Sequence, residues 1–506
     1  MRYVVQSEPK KISFLQWMVL GTLTLTSTLY GLSITIANIA LPQLQGALSA
    51  TQDQIAWTVT FNIVGTAITT PLTGWLTIRF GQRQLMLCTV FGFAISSILC
   101  GQATNLIELV VYRVCQGAFG GPLVPLSQAI ILSVFPRRLH SFSTAVWGMG
   151  VVCGPIIGPT VGGYISEAYT WRWVFYIIAP FSVLAFFGAW LYVKNTAHDK
   201  LSKLDWIGFI SLSLALTTLQ LMLDRGNRLD WFESPEILIE LTVAIFCIYI
   251  FGIHIVTSQN PYLNPRLLRD RNYLLGVILV FIYGMLNFTP IVLYPTMLQD
   301  LRGYPESIVG LLLAARGFGA FAGNFLVLLI SRKDPRIGLA LGFIAQAVSC
   351  WVLANFDINM TTSGVAWASA LQGFGVGLSW VPLTVVMFSN IDPKFIPEGT
   401  AVLHLLRNIG SSIYISLTIT IVVRSTSTNY TDMTNFINPF NESLDFKNLM
   451  GFWNSETLAG LSKLSDEIER QASMVGYINA FYLLAITGFI ALPLIFFIHK
   501  PMTQEN

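Results

Sequence analysis

The chain has 506 residues, 54% hydrophobic and 13% aromatic with only 11% charged, and a net charge of +3. Soluble domains carry roughly 25% charged residues, so this composition excludes a water-soluble protein and points to a polytopic membrane protein. The near balance of 29 basic and 26 acidic residues excludes a nucleic-acid partner, and the mean hydropathy of +0.63 agrees.

A membrane-crossing helix needs about 20 mostly apolar residues. By that criterion fourteen spans are expected, at about 15–41, 55–78, 85–103, 107–134, 142–165, 173–193 and 205–223 in the first half of the chain. The others are expected at about 237–257, 273–298, 306–331, 337–356, 363–391, 400–423 and 474–498. Lys10 and Lys11 precede the first apolar run without a small-residue cleavage site, so that run reads as an uncleaved span. With the N-terminus inside, the inner segments hold 18 Lys and Arg, against four in the short outer loops. This asymmetry places both termini in the cytoplasm. The expected organisation is a cytoplasmic tail (1–14), an N-terminal six-helix bundle (15–194), a linker carrying spans 7 and 8 (195–271), a C-terminal bundle (272–498) and a tail (499–506). Within the second bundle, residues 425–473 form a long outer loop. There Leu458, Leu461, Leu464 and Ile468 recur at helical spacing, which predicts an amphipathic helix on the membrane surface or over the bundle mouth.

Charge inside a bilayer is costly, so an ionisable residue within a span lines a cavity or finds a partner. Arg316 lies about 15 Å into its span, and Arg113 and Arg407 about 9–10 Å into theirs. Each points to a polar interior or to a bond with a neighbouring helix. The acidic residues all fall in loops or within about one turn of a span end, and Asp224, Glu240 and Asp300 read as solvated loop charges or as proton carriers near the outer face. Ser33, Asn38, Asn62, Gln128 and Asn287, with Trp147 and Trp380 as aromatic walls, are the expected substrate cavity together with Arg316 and Arg407. In span 5, Gly154, Gly158, Gly162 and Gly163 make a strip that another helix can approach closely. Pro155 and Pro159 withdraw two amide donors there, which suits either a packing seam or a gating bend. No HExxH, GxSxG or P-loop pattern occurs and His254 and His404 lie far apart in the chain, so catalysis, a bound metal and a cofactor are not expected.

The stretch from Gly74 through Arg79 and Gly81 to Arg83, the run Arg113-Val-Cys-Gln116-Gly117, the Gly154–Gly163 strip and Thr35-Ile-Ala-Asn38-Ile-Ala-Leu-Pro42 occur in an order that resembles the major facilitator superfamily. The pattern looks most like its fourteen-span drug:proton antiporter branch, of the EmrB type. The passages Gly120–Gln128, Leu221–Gly226 and Asn438–Asn441 resemble the Gram-negative exporters of that branch. The resemblance implies an all-α membrane fold of two six-helix halves with two inserted helices, and multidrug efflux of small amphiphiles across the inner membrane by alternating access. It further implies proton coupling through Arg113, gating and packing by the Gly74–Arg83 turn and the span-5 strip, a periplasmic membrane-fusion adaptor docked at 425–473, and an outer-membrane channel. Two departures stand out: Ser33 and Ile78 occupy positions where the family usually has Asp. With no carboxylate at depth, His404 is the candidate proton carrier, because an ordinary imidazole titrates near pH 6.5; its other reading is a neutral His hydrogen-bonded near the inner mouth. A dedicated carrier of one anionic metabolite, such as a siderophore, is the alternative that the three arginines favour.

Overall fold

The computed structural model describes residues 12–195, 203–258, 261–330, 334–437 and 457–499. The side chains of Asn38 and Pro159 fall outside the described set, as does the Asn438–Asn441 motif. Among the described residues the chain is helical throughout, with seventeen α-helices and no strand. In the first half these are α1 (Phe14–Ile39), α2 (Leu41–Ala47), α3 (Gln52–Phe80), α4 (Gln82–Gln102), α5 (Leu106–Gly120), α6 (Leu123–Val134), α7 (His140–Ala168), α8 (Trp171–Tyr176) and α9 (Ile178–Tyr192). Then come α10 (Trp206–Arg225), α11 (Pro235–Thr257), α12 (Arg271–Arg302), α13 (Glu306–Ile330), α14 (Pro335–Ala354), α15 (Thr362–Met387), α16 (Ile396–Thr434) and α17 (Leu458–Phe496).

Polar residues set the helix starts. Thr51 and Gln54 form a capping box for α3, and Asn105, Asp270, Thr361 and Thr457 each accept a backbone amide of the first turn of α5, α12, α15 and α17. Two glycines set stops. Gly81 (φ +83°) ends α3 and Gly303 (φ +61°) ends α12, both in conformations that a side chain would strain.

Thirteen helical segments among the described residues are long and apolar enough to cross a membrane, with α5 and α6 forming one and α8 and α9 another. The 29-residue α7 is the fourteenth helix of spanning length. The expected spans 4 and 6 are each two helices rather than one. Pro122 stands at the first joint, and Pro180 has no amide for the carbonyl of Tyr176 at the second. The expected surface-lying helix at 458–473 requires correction: it is continuous with the last span, as the first half of the 39-residue α17. Helix α16 likewise runs 39 residues, well past the expected end at 423. At 1.5 Å per residue each is about 58 Å long, outrunning a hydrocarbon core of about 30 Å by roughly 28 Å. The extensions pair, with Tyr430 Oη 2.9 Å from Ser465 Oγ and Asn479 Nδ2 donating to Ser425 Oγ at 2.8 Å.

The chain packs as two compact units. One comprises residues up to Ser213 with Phe251–Pro265 and Ile391–His404; the other comprises Leu214–Ile250, Arg266–Asn390 and the chain from Leu405 onward. The inserted pair α10 and α11 is divided between them. In the first unit Asp205 accepts the His254 imidazole at 2.8 Å and the Tyr262 amide at 3.0 Å. In the second, Ser416 donates to the Leu223 carbonyl at 2.8 Å, while Arg225 bridges Glu236 and Glu240. Glu240 is thus a buried ion-pair partner and not the solvated loop charge expected.

Candidate functional site

In the first unit, α3 and α5 approach closely because Gly65 and Gly117 present no side chain to the facing backbone. A ladder of side chains then bonds one helix to the carbonyls of the other. Asn62 Nδ2 donates to Arg113 O at 2.9 Å, Thr66 Oγ1 to Gly117 O at 3.2 Å and Thr70 Oγ1 to Gly121 O at 3.5 Å. Arg113 itself is 1% exposed. Its Nε donates to the Thr58 carbonyl at 3.0 Å and its Nη1 to Gln116 Oε1 at 2.5 Å, while Gln116 passes a bond on to Ser97 at 2.8 Å. The ring of Phe175 faces the guanidinium with 5.8 Å to its centroid. These partners are neutral, so the buried charge rests on amide and carbonyl dipoles.

Three predicted residues meet in the same unit. His404 Nε2 lies 2.6 Å from Gln128 Oε1, and the imidazole stands edge-on to Trp147 with centroids 6.3 Å apart. Trp147 Nε1 in turn donates to Ser27 at 2.9 Å. His404 is 1% exposed, and all three side chains are enclosed by helix α1, α6, α7 or α16. With Nε2–H given to Gln128, Nδ1 is the basic nitrogen of that tautomer. Ser33, by contrast, turns its hydroxyl onto the Tyr30 carbonyl of its own helix, 2.8 Å away.

The glycine strip of α7 faces α1. A β-carbon at Gly154 would stand 2.5 Å from the Thr28 carbonyl, and one at Gly162 2.6 Å from Ile36 Cγ1; Gly158 meets Thr35. Helix α7 is continuous through Pro155 and Pro159. Pro155 leaves the Val151 carbonyl without its helical donor, and Gly31 of α1 packs over that place. Gly163 is half-buried on the same helix. At the other end of α3, Gly74 packs on the backbone of Glu398 at the start of α16, and Glu398 accepts the Asn264 amide. Arg83 donates to the Trp190 carbonyl at 2.5 Å, a partner the sequence did not suggest for it. Arg79 is half-buried on the last turn of α3. In the loop before α16, the Lys394 amide and ammonium hold the Asp392 carboxyl below the usual carboxylate range.

The second unit carries the other two arginines. Arg316 of α13, 5% exposed, donates through Nε to Gln372 of α15 and through Nη2 to Asn287 of α12, at 2.7 Å to the carbonyl and 2.6 Å to Oδ1. Gln372 is itself held in place by donating from Nε2 to the Leu286 carbonyl at 2.9 Å. Arg407 of α16, 8% exposed, lies against two rings, 5.3 Å from the Phe288 centroid and 5.7 Å from that of Trp380. Tyr283 packs on Trp380 at 5.3 Å, and Arg407 also reaches Asn408 Oδ1 at 3.1 Å. The second unit therefore brings together Asn287 with Arg316, and Trp380 with Arg407. Sequence reasoning named Gln116 only as part of the Arg113–Gly117 run, without its bond to Arg113, although three-residue spacing on one helix face signals it; Phe288 it missed, with no signal to find it.

These helices and buried cations define a polytopic membrane protein built to hold charge within its spans. The Major Facilitator Superfamily model matches residues 23–415, and the chain belongs to that family, whose members are transporters rather than enzymes. It is similar to "Multidrug export protein EmrB" of Escherichia coli (strain K12), 32% identical over 95% of this chain and 94% of that one. It is also similar to "Fatty acid resistance protein FarB" of Neisseria gonorrhoeae, 30% identical over 97% of this chain and 98% of that one. Among solved structures, the double-Trp mutant of XylE shares the fold with a TM-score of 0.65 at 13% identity, covering 97% of each chain.

Proposed function

We propose that this protein is a secondary active transporter that exports amphiphilic compounds across the inner membrane by alternating access, coupled to proton entry. The observation that carries the proposal is similarity along nearly the whole chain to two proteins named for export and for resistance. In this reading Arg113 and His404 serve proton coupling, with 15–194 and 272–498 as the working halves and both termini cytoplasmic. A protonation event moves a transporter only if the two access states hold the proton with different affinity. The His404–Gln128 pair supplies such a difference when its 2.6 Å bond is made in one state and lost in the other.

Asn287, Arg316, Trp380 and Arg407 are the proposed contacts for the cargo, with Ser33, Asn38, Asn62, Gln128 and Trp147 as further polar and aromatic positions. A second reading, a carrier dedicated to one anionic metabolite such as a siderophore, is favoured by Arg316, whose partners are neutral amides. The paired extensions of α16 and α17 are the proposed docking element for a periplasmic membrane-fusion adaptor serving an outer-membrane channel. Proteoliposome flux under an imposed pH gradient, with anionic and cationic dyes of matched size, tests these statements. Gradient-driven flux of several unrelated dyes supports the exporter; flux of one anion alone, with or without the gradient, supports the dedicated carrier; no flux of any dye refutes both.

A further inference from the structure

The second unit contains a cavity of about 640 Å³ that the proposed transport chemistry does not use. It lies between the C-terminal part of α12, the outer stretch of α16 and the first half of α17, where the long helices leave the spans. Its volume falls in the range of small-molecule sites, about 300–1,000 Å³. One wall is aliphatic, formed by Val292, Leu293, Ile419, Val422 and Val423. The lining also carries the exposed carboxylates Asp300 and Glu469 and the phenols of Tyr430 and Tyr477.

The charge in this cavity has a single sign. The lining contains two carboxylates and neither Lys nor Arg. Arg302 is drawn to the Ile358 carbonyl at 3.1 Å and stacks on Tyr304. Arg470, beside Glu469 in the chain, is held by Glu467 at 2.7 Å and by the Leu301 carbonyl at 3.4 Å. Asp300 receives the Tyr477 hydroxyl at 3.4 Å, which leaves its other oxygen for a ligand. Gly476 lets α17 lie directly on α16 beside the cavity-lining Val422: a β-carbon there would stand 2.7 Å from the Val422 carbonyl.

A cavity lined by aliphatic side chains, acids and phenol rings is complementary to a cation mounted on a hydrophobic body, because carboxylates neutralise the charge while ring faces attract it. The geometry points to a binding site for lipophilic cations in this cavity, separate from the arginine-bearing positions and of opposite charge preference. An alkyl or aryl ammonium solute and the amine headgroup of a membrane lipid share this chemistry.

The test uses the full-length protein in neutral dodecyl maltoside micelles, with tritiated tetraphenylphosphonium in equilibrium dialysis. The wild type is expected to bind it saturably, and the D300N/E469Q double variant at least tenfold more weakly. Val423→Trp fills the cavity from a position that is 52% exposed, so the fold tolerates it, and binding is expected to be lost. Tetraphenylborate, of the same shape and opposite charge, is expected not to compete. Competition by added phosphatidylethanolamine assigns a lipid amine as the natural occupant, and its absence assigns a free solute; either result requires the cavity. Equal binding by the wild type and both variants, or equal affinity for tetraphenylborate, overturns the assignment. Proton-driven dye flux fails independently: flux lost with binding retained refutes the transport reading and leaves the cavity standing.

Discussion

Gly65→Ala adds one methyl group between α3 and α5, and the structure says what it must displace. The new β-carbon would stand 2.5 Å from the Val114 carbonyl and 3.1 Å from the Ala118 amide nitrogen, both backbone atoms on a helix that cannot rotate away. To recover an ordinary contact of 3.4 Å, α3 must back off by about 0.9 Å, and overpacking of this kind costs about 1–3 kcal/mol. Gly65 lies between Asn62 and Thr66, so the same retreat stretches the 2.9 Å and 3.2 Å rungs past bonding distance. Three rungs at roughly 0.6 kcal/mol each add about 2 kcal/mol. Alanine's better helix propensity returns about 1 kcal/mol, so the net loss is about 2–4 kcal/mol. The Arg113 Nε bond to the Thr58 carbonyl spans the same interface at 3.0 Å and is lost with the ladder. Thermal unfolding in detergent and flux in proteoliposomes read the two consequences, a lowered midpoint and impaired gradient-driven flux. An unchanged midpoint together with normal flux would show that α3 and α5 do not hold Arg113 as described.

Three further outcomes are expected. Arg316→Lys keeps the charge but cannot serve Gln372 and Asn287 with one planar fork, and a lost charged hydrogen bond is worth about 1.5–3 kcal/mol. Flux of an anionic dye should therefore fall at least tenfold; full activity in this variant would leave the guanidinium geometry without a role. His404→Gln should flatten the dependence of flux on the imposed pH gradient, and an unaltered gradient dependence excludes His404 from coupling. Deleting 458–464 should leave flux in proteoliposomes intact but remove drug resistance in cells if the adaptor docks on the extension; retained resistance counts against docking there.

Span positions were legible from apolar run length, which follows from the cost of placing polar groups in hydrocarbon. The ends that went astray have local causes. Residues 424–434 and 458–473 are polar enough to read as loop, yet the α16 and α17 extensions brace each other through Tyr430 and Ser465, a contact no window along the chain can register. Arg113, Arg316 and Arg407 announced themselves as charges within apolar runs. The Thr58 carbonyl that accepts from Arg113 did not, because it comes within reach only when α3 and α5 close on Gly65 and Gly117. The α7 strip was visible as small residues at helical spacing, but its partner, α1 at Thr28, Thr35 and Ile36, is a fact of packing.

The continuity of α16 and α17 beyond the bilayer has a mechanical consequence. A braced two-helix stalk acts as a lever arm, and over the roughly 16 Å that residues 424–434 add to α16 a tilt of about 10° at the membrane carries its tip by about 3 Å. Small rotations of buried helices would thus arrive at the far end as displacements as large as a side chain, without any hinge in between.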